Sequence, residues 1–146
     1  MEAPATKDLK ISACRPLFYL AFELRGAGAC LHSHSINAVM ATLVFSGSEY
    51  TVTQLEMMKG LEGHGYYDTL TIPIIENTAH EAELEASMRE AMLKYPGSPA
   101  VLVRRHGVYV WGSDWVQAKT QAECLDFLFQ ASVAMKQLGI ANPAAP

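Results

Sequence analysis

The stretch Ala29-Cys30-Leu31-His32-Ser33-His34-Ser35 constrains the fold more than any other part of the chain. A short apolar run ends in two histidines two residues apart, and successive side chains on a strand point to opposite faces, so His32 and His34 face the same way. Two imidazoles on one face at a strand end form a metal-ligand geometry. A catalytic zinc site typically uses three protein ligands and leaves a position open for water or substrate, so a third ligand is expected far away in sequence and near in space. Val101-Leu102-Val103-Arg104-Arg105-His106-Gly107 supplies the candidate His106, at the end of a second apolar run and before a glycine that permits a tight turn. The two runs must then converge at one edge of a sheet. For each histidine taken alone, a satisfied core or surface role is the alternative.

The rest of the sequence must build a scaffold for that convergence. With 146 residues, 50% of them hydrophobic, the chain is long and apolar enough for one domain with a sizeable core. Eleven basic against 15 acidic residues give a net charge of −4, without a basic cluster that could track a phosphate backbone, which argues against nucleic-acid binding. No apolar run approaches bilayer length, and Met1 to Asp8 has no signal-peptide pattern, so the expectation is a soluble cytoplasmic protein without membrane contact. Cys14, Cys30 and Cys124 form an odd set without a C-x-x-C pair, which fits reduced thiols and not a disulfide framework.

Periodicity assigns the elements. Leu9 to Ile11 reads as a short extended piece. Pro16 to Arg25 has helical apolar spacing, proline in its first turn and Gly26 as a stop. Gly26-Ala27-Gly28 lies between a helix and a strand, the reverse of a nucleotide-binding glycine loop. Ser35 is expected to cap a helix running toward Gly47, which puts the histidine pair at a strand-to-helix junction. Glu49 to Val52 and Leu70 to Ile75 read as strands, the second placed at an edge or bulge by Pro73. His80 to Lys94 predicts an amphipathic helix with a solvated acidic face. Ala100 to Val103 and Val108 to Trp111 predict a hairpin around His106. Ser113 or Asp114 then caps a long final helix with Val116, Ala118, Cys124, Leu125, Leu128, Val133 and Met135 at apolar positions, ended by Gly139. Strands alternating with helices indicate a mixed α/β sheet covered by helices.

Two acidic positions stay open at this level. Thr53 and Glu56 have the spacing of a capping box, in which the carboxylate satisfies a backbone donor; Glu56 is alternatively an acid/base beside the metal. Thr78 to Glu81 repeats the pattern, and capping accounts for it. Gly60 to Tyr67 is a glycine-rich loop, either a lid or a surface turn, in which His64 is expected to be solvated.

Several separated motifs, in order, carry a resemblance: Ala29 to Ser35 with Ala38 to Leu43, Glu56-Met57-Met58-Lys59-Gly60, Pro73-Ile74-Ile75-Glu76-Asn77-Thr78 and Val101 to Gly112. From about residue 9 to about residue 140 the chain resembles the methylthioribulose-1-phosphate dehydratases of the class II aldolase/adducin superfamily. The resemblance implies a three-layer α/β/α fold around a mixed, largely antiparallel sheet, formed by one domain over residues 1–146 that is N-terminally truncated relative to the family. It implies zinc held by His32, His34 and His106, Glu56 as the catalytic acid/base, and Cys14 beside the substrate. It further implies a homotetramer with sites near subunit boundaries, a small sugar-phosphate substrate, and dehydration of 5-methylthioribulose 1-phosphate in methionine salvage through a zinc-stabilised enediolate. The alternatives are a class II sugar-phosphate aldolase and a non-catalytic, apoptosis-related adaptor that keeps the zinc fold.

Overall fold

A computed structural model describes residues 10–141. Leu9 lies outside the described residues, and Lys10 and Ile11 belong to no regular element. The elements are α1 (Arg15–Arg25), β1 (Ala29–Ser33), α2 (Ile36–Val44), β2 (Glu49–Thr53), β3 (Thr69–Ile75), α3 (Glu85–Lys94), β4 (Ala100–Val103), β5 (Gly107–Gly112) and α4 (Trp115–Gln137), with 3₁₀ turns at Glu56–Gly60 and Glu81–Leu84.

The strands form one sheet in the order β1-β5-β4-β3-β2. Only β3 and β4 run parallel; the other neighbours are antiparallel, as the mixed, largely antiparallel expectation requires. Strand alternation divides the core into two layers. Ala100, Leu102, Val108 and Val110 face α2 and α4, packing with Ala38, Ala41, Leu125 and Phe129. Val101, Val103, Tyr109 and Trp111 face α1 and α3, packing with Leu17, Leu20, Met88 and Met92. Both faces are therefore covered, and the architecture is three-layer α/β/α.

The strand directions decide what lies at each end of the sheet. The C-terminal ends of β1, β3 and β4 share one end with the N-terminal ends of β2 and β5. That end carries His34, Asn77 and the β4–β5 turn. The opposite end carries the segment after β2, which contains Glu56, and the start of α4.

The caps and breaks show where local chemistry agrees with the sequence. Ser35 Oγ accepts from Asn37 N–H at 3.1 Å and opens α2, and Asp114 accepts from Gln117 N–H at 2.8 Å and opens α4. Gly26 closes α1 in the left-handed conformation, φ 59°. Three expectations need correction. Pro73 is not on an edge strand, because β3 lies between β4 and β2. It is tolerated because Ile74 N–H points to β2, donating to Ser48 O at 2.8 Å. The proline nitrogen therefore faces β4, one residue before that ladder begins at Ile74. The His80–Lys94 helix is split into a 3₁₀ turn and α3. Val116, expected at an apolar position, is half exposed on the first turn of α4.

Candidate metal centre

His32 is the fourth residue of β1, paired with Tyr109 on β5. Its ring stacks on that tyrosine, with centroids 4.0 Å apart and planes at 10°, and its Nδ1 lies 3.1 Å from Val108 O. His34 follows β1 directly. Its backbone is held by the next residue, Ser35, whose hydroxyl donates to Asp126 on α4, while Asn37 Nδ2 donates to the same carboxylate at 2.9 Å. His106 occupies the β4–β5 turn. That turn is tied down on both sides: the Arg104 guanidinium donates to Thr42 O, Phe45 O and Gly47 O at the end of α2, and Arg105 N–H donates to Thr42 Oγ1 at 3.0 Å. Arg105 adopts φ 59° to close the turn. Gly107 then brings β5 against β1 so tightly that a Cβ there would fall on Ser33 O.

The sequence expectation that the three histidines meet is met in the structure: their ligand atoms lie within 4.8 Å of one another. His34 Nε2 is 2.8 Å from His32 Nε2 and 3.1 Å from His106 Nε2. The outer acceptors set the tautomers. With Nδ1–H of His32 directed at Val108 O and Nδ1–H of His106 directed at Asn77 Oδ1, both Nε2 atoms are inward lone pairs. The single Nε2 of His34 can offer at most one hydrogen to the two of them. At least one inward lone pair is left for a cation, so the donor set fits a metal ion on its own chemistry, and three imidazoles suit zinc.

Electrostatics agree. Burial pushes His32 down to about 4, with Val108 O opposing and the neighbouring imidazoles reinforcing the shift. His106 is also lowered, again first by burial. Both rings are thus neutral and ready to ligate at neutral pH. The unfolded chain takes up a proton on each ring near pH 6.5 that the folded chain refuses until lower pH. The metal-free protein is therefore expected to hold this stability above pH 6.5 and to lose it as pH falls toward about 4, through the folded value of His32. Denaturant midpoints measured between pH 7.5 and pH 4 check this; a flat profile would contradict it.

The other sequence candidates separate. Cys14 precedes α1 and is half-buried, beside the buried hydroxyl of Tyr109 though without hydrogen-bond geometry. It is thus one tyrosine ring away from His32. Glu56 is not with the histidines: it opens the 3₁₀ turn at the opposite end of the sheet, exposed and paired with Lys59 Nζ at 2.9 Å. The capping box expected of Thr53 and Glu56 is not formed. Thr53 Oγ1 instead donates to Asp68 O at 2.6 Å, Gln54 takes φ 55°, and the cap residue is Leu55, without a side-chain cap. His64 lies at that same end, its Nδ1 2.9 Å from Glu62 O, lining a cleft of about 590 Å³ with Arg25, Trp111 and Gln117.

Sequence reasoning missed two residues at the histidine end. Asn77 meets His106 at 3.0 Å. The half-buried carboxylate of Glu81 lies near enough for its charge to favour protonation of both His32 and His106. The second capping expectation is overturned here: the cap position is His80, no side chain caps the turn, and Thr78 Oγ1 donates to His80 O at 2.9 Å. The only available signal was that Glu76-Asn77-Thr78 directly follows a strand end.

A three-layer α/β domain with three histidines converging at one end of a mixed sheet defines an α/β protein with a candidate metal centre. The profile of the family "Class II Aldolase and Adducin N-terminal domain" matches residues 1–133, and the chain belongs to that family. The methylthioribulose-1-phosphate dehydratase of Laccaria bicolor is 57% identical over 139 residues, covering 91% of this chain and 59% of that protein. The protein of the same name from Gallus gallus is 56% identical, covering 94% of this chain and 59% of its own length. The chain thus spans about three fifths of the length of these curated relatives. Among solved structures, l-fuculose-1-phosphate aldolase from Thermus thermophilus matches with a TM-score of 0.57 at 20% identity, covering 94% of this chain and 67% of that one, a likeness of fold. Among the described residues, no helix is long and apolar enough to cross a membrane.

Proposed function

We propose that this chain forms the zinc-dependent core of a dehydratase that converts 5-methylthioribulose 1-phosphate to 2,3-diketo-5-methylthiopentyl 1-phosphate in methionine salvage. The observation that carries the reading is the convergence of three imidazoles, in a chain more than half identical to proteins named for this activity. When bound, zinc supplies Lewis-acid stabilisation of negative charge on the substrate carbonyl oxygen.

The chain's own residues do the rest. His32, His34 and His106 would hold the ion. Cys14 lies along the substrate, next to Tyr109. Glu56 removes the proton from C3 and delivers it to the C4 hydroxyl, which departs as water; the C3 enol left behind ketonises as its hydroxyl proton is lost and a proton is added at C4, so the products are the diketone phosphate and H₂O. Since Glu56 lies at the far end of its own sheet, it serves the histidines of a neighbouring subunit. A head-to-tail interface, closing as a ring, brings the Glu56 end of one subunit against the histidine end of the next, and a homotetramer is the proposed closure. A cytoplasmic location and an apoptosis-related protein partner belong to the same proposal and rest on the resemblance alone.

Product analysis tests the reaction. The dehydratase keeps the carbon skeleton and yields one diketone phosphate per substrate consumed. Two carbon fragments would instead identify an aldolase using the same site.

A further inference from the structure

We infer that Asn77 is a positioning residue of the metal centre: its Oδ1 accepts the Nδ1–H of His106, fixing the tautomer and rotation that aim Nε2 at the ion. The contact is 3.0 Å and joins the residue after Glu76, just beyond β3, to the β4–β5 turn. The inference rests on the metal-centre reading and not on the identity of the substrate.

The three ligands are oriented in different ways. His32 is fixed by a backbone oxygen, Val108 O, and by stacking on Tyr109, neither of which depends on a neighbouring polar side chain. His34 is fixed through its backbone, between the end of β1 and the Ser35–Asp126 contact. His106 stands in a turn whose backbone is secured by Arg104 and Arg105, yet among the described residues its ring has no stacking partner outside the histidine cluster. Rotation about its side-chain bonds is therefore limited chiefly by Asn77. Among the described residues, Asn77 is the one side chain that accepts from the outward nitrogen of a ligand ring.

The choice of amide over carboxylate has a chemical consequence. A carboxylate acceptor would increase the basicity of the imidazole and lower the net charge of the centre by one. A neutral amide accepts the same hydrogen bond and leaves the positive charge of the centre undiminished. The nearby Glu81 charge is already present, acting through space on both His32 and His106.

The test is the affinity for Zn²⁺ alone, measured by competition with a chelating dye, without substrate. Asn77 is exposed, so its substitution leaves the core intact. Asn77→Leu, which keeps the bulk and loses the acceptor, is expected to weaken Zn²⁺ binding by roughly 10- to 100-fold. Asn77→Asp, which restores an acceptor, is expected to bind at least as tightly as the unaltered chain. Metal-free thermal midpoints separate positioning from folding and should coincide for all three proteins. Affinity within about threefold for Asn77→Leu, or no recovery in Asn77→Asp with an unchanged midpoint, would overturn the inference. An unaltered chain that binds no Zn²⁺ would contradict the metal centre itself.

Discussion

Glu56→Gln is expected to lower turnover by roughly 10²- to 10⁴-fold, the usual contribution of one positioned proton-transfer group, while leaving the zinc content unchanged. The substitution keeps the shape and loses the charge, and the Lys59 pair it removes is exposed, with little bearing on stability. The sharper result comes from mixed assemblies. His106→Ala removes a proposed ligand at one end of the sheet and Glu56→Gln removes the proposed base at the other. Co-expressed in equal amounts, the two variants give some sites an intact histidine set from one subunit and an intact Glu56 from its neighbour. Random assembly makes about one quarter of the sites complete, so about one quarter of the unaltered activity should return. If each site used its own chain's glutamate, every site would carry a lesion and the mixture would stay inactive. Activity of co-purified, differently tagged subunits reads the difference.

The second large effect is on metal retention. His106→Ala leaves two ligands from a set of three, and the two that remain come from one short stretch of chain. Loss of an outer-shell partner alone typically weakens a metal site by roughly 10- to 100-fold, and losing a ligand is expected to exceed that. His106 is half-buried in a turn whose backbone is held by other residues, so the fold should survive. Zinc retained after dialysis, measured beside the metal-free thermal midpoint, checks both halves. Full zinc content in His106→Ala would remove His106 from the ligand set.

Much of this centre was legible in the sequence because period-two geometry and turn chemistry are local. The H-x-H run ended a strand as expected, Ser35 and Asp114 capped their helices, and the hairpin placed His106 at the same end. The capping boxes were not legible because an identical spacing serves two conformations. At Thr53 the strand continues and the hydroxyl finds Asp68 O across the neighbouring loop, a partner 15 residues away. Pro73 misled for a related reason: its missing donor matters only on the side facing β4, and which side that is depends on the register with β2. Asn77 and Glu81 escaped notice since their importance comes from β3 ending beside the β4–β5 turn, a parallel pairing between strands separated by α3. The distance of Glu56 from the histidines likewise follows from strand order and direction, which hydrophobic periodicity does not encode.

If the histidine cluster binds zinc and the bound zinc drives loss of water from a sugar phosphate, metal content and dehydration must rise and fall together. Turnover of 5-methylthioribulose 1-phosphate by the purified chain, with zinc content determined in the same sample before and after chelation, reads both at once. Diketone phosphate is expected in proportion to zinc, abolished by the chelator and restored by added Zn²⁺. Diketone formation that continues undiminished in zinc-depleted protein would contradict this mechanism, as would a fully zinc-loaded assembly that leaves the substrate unchanged.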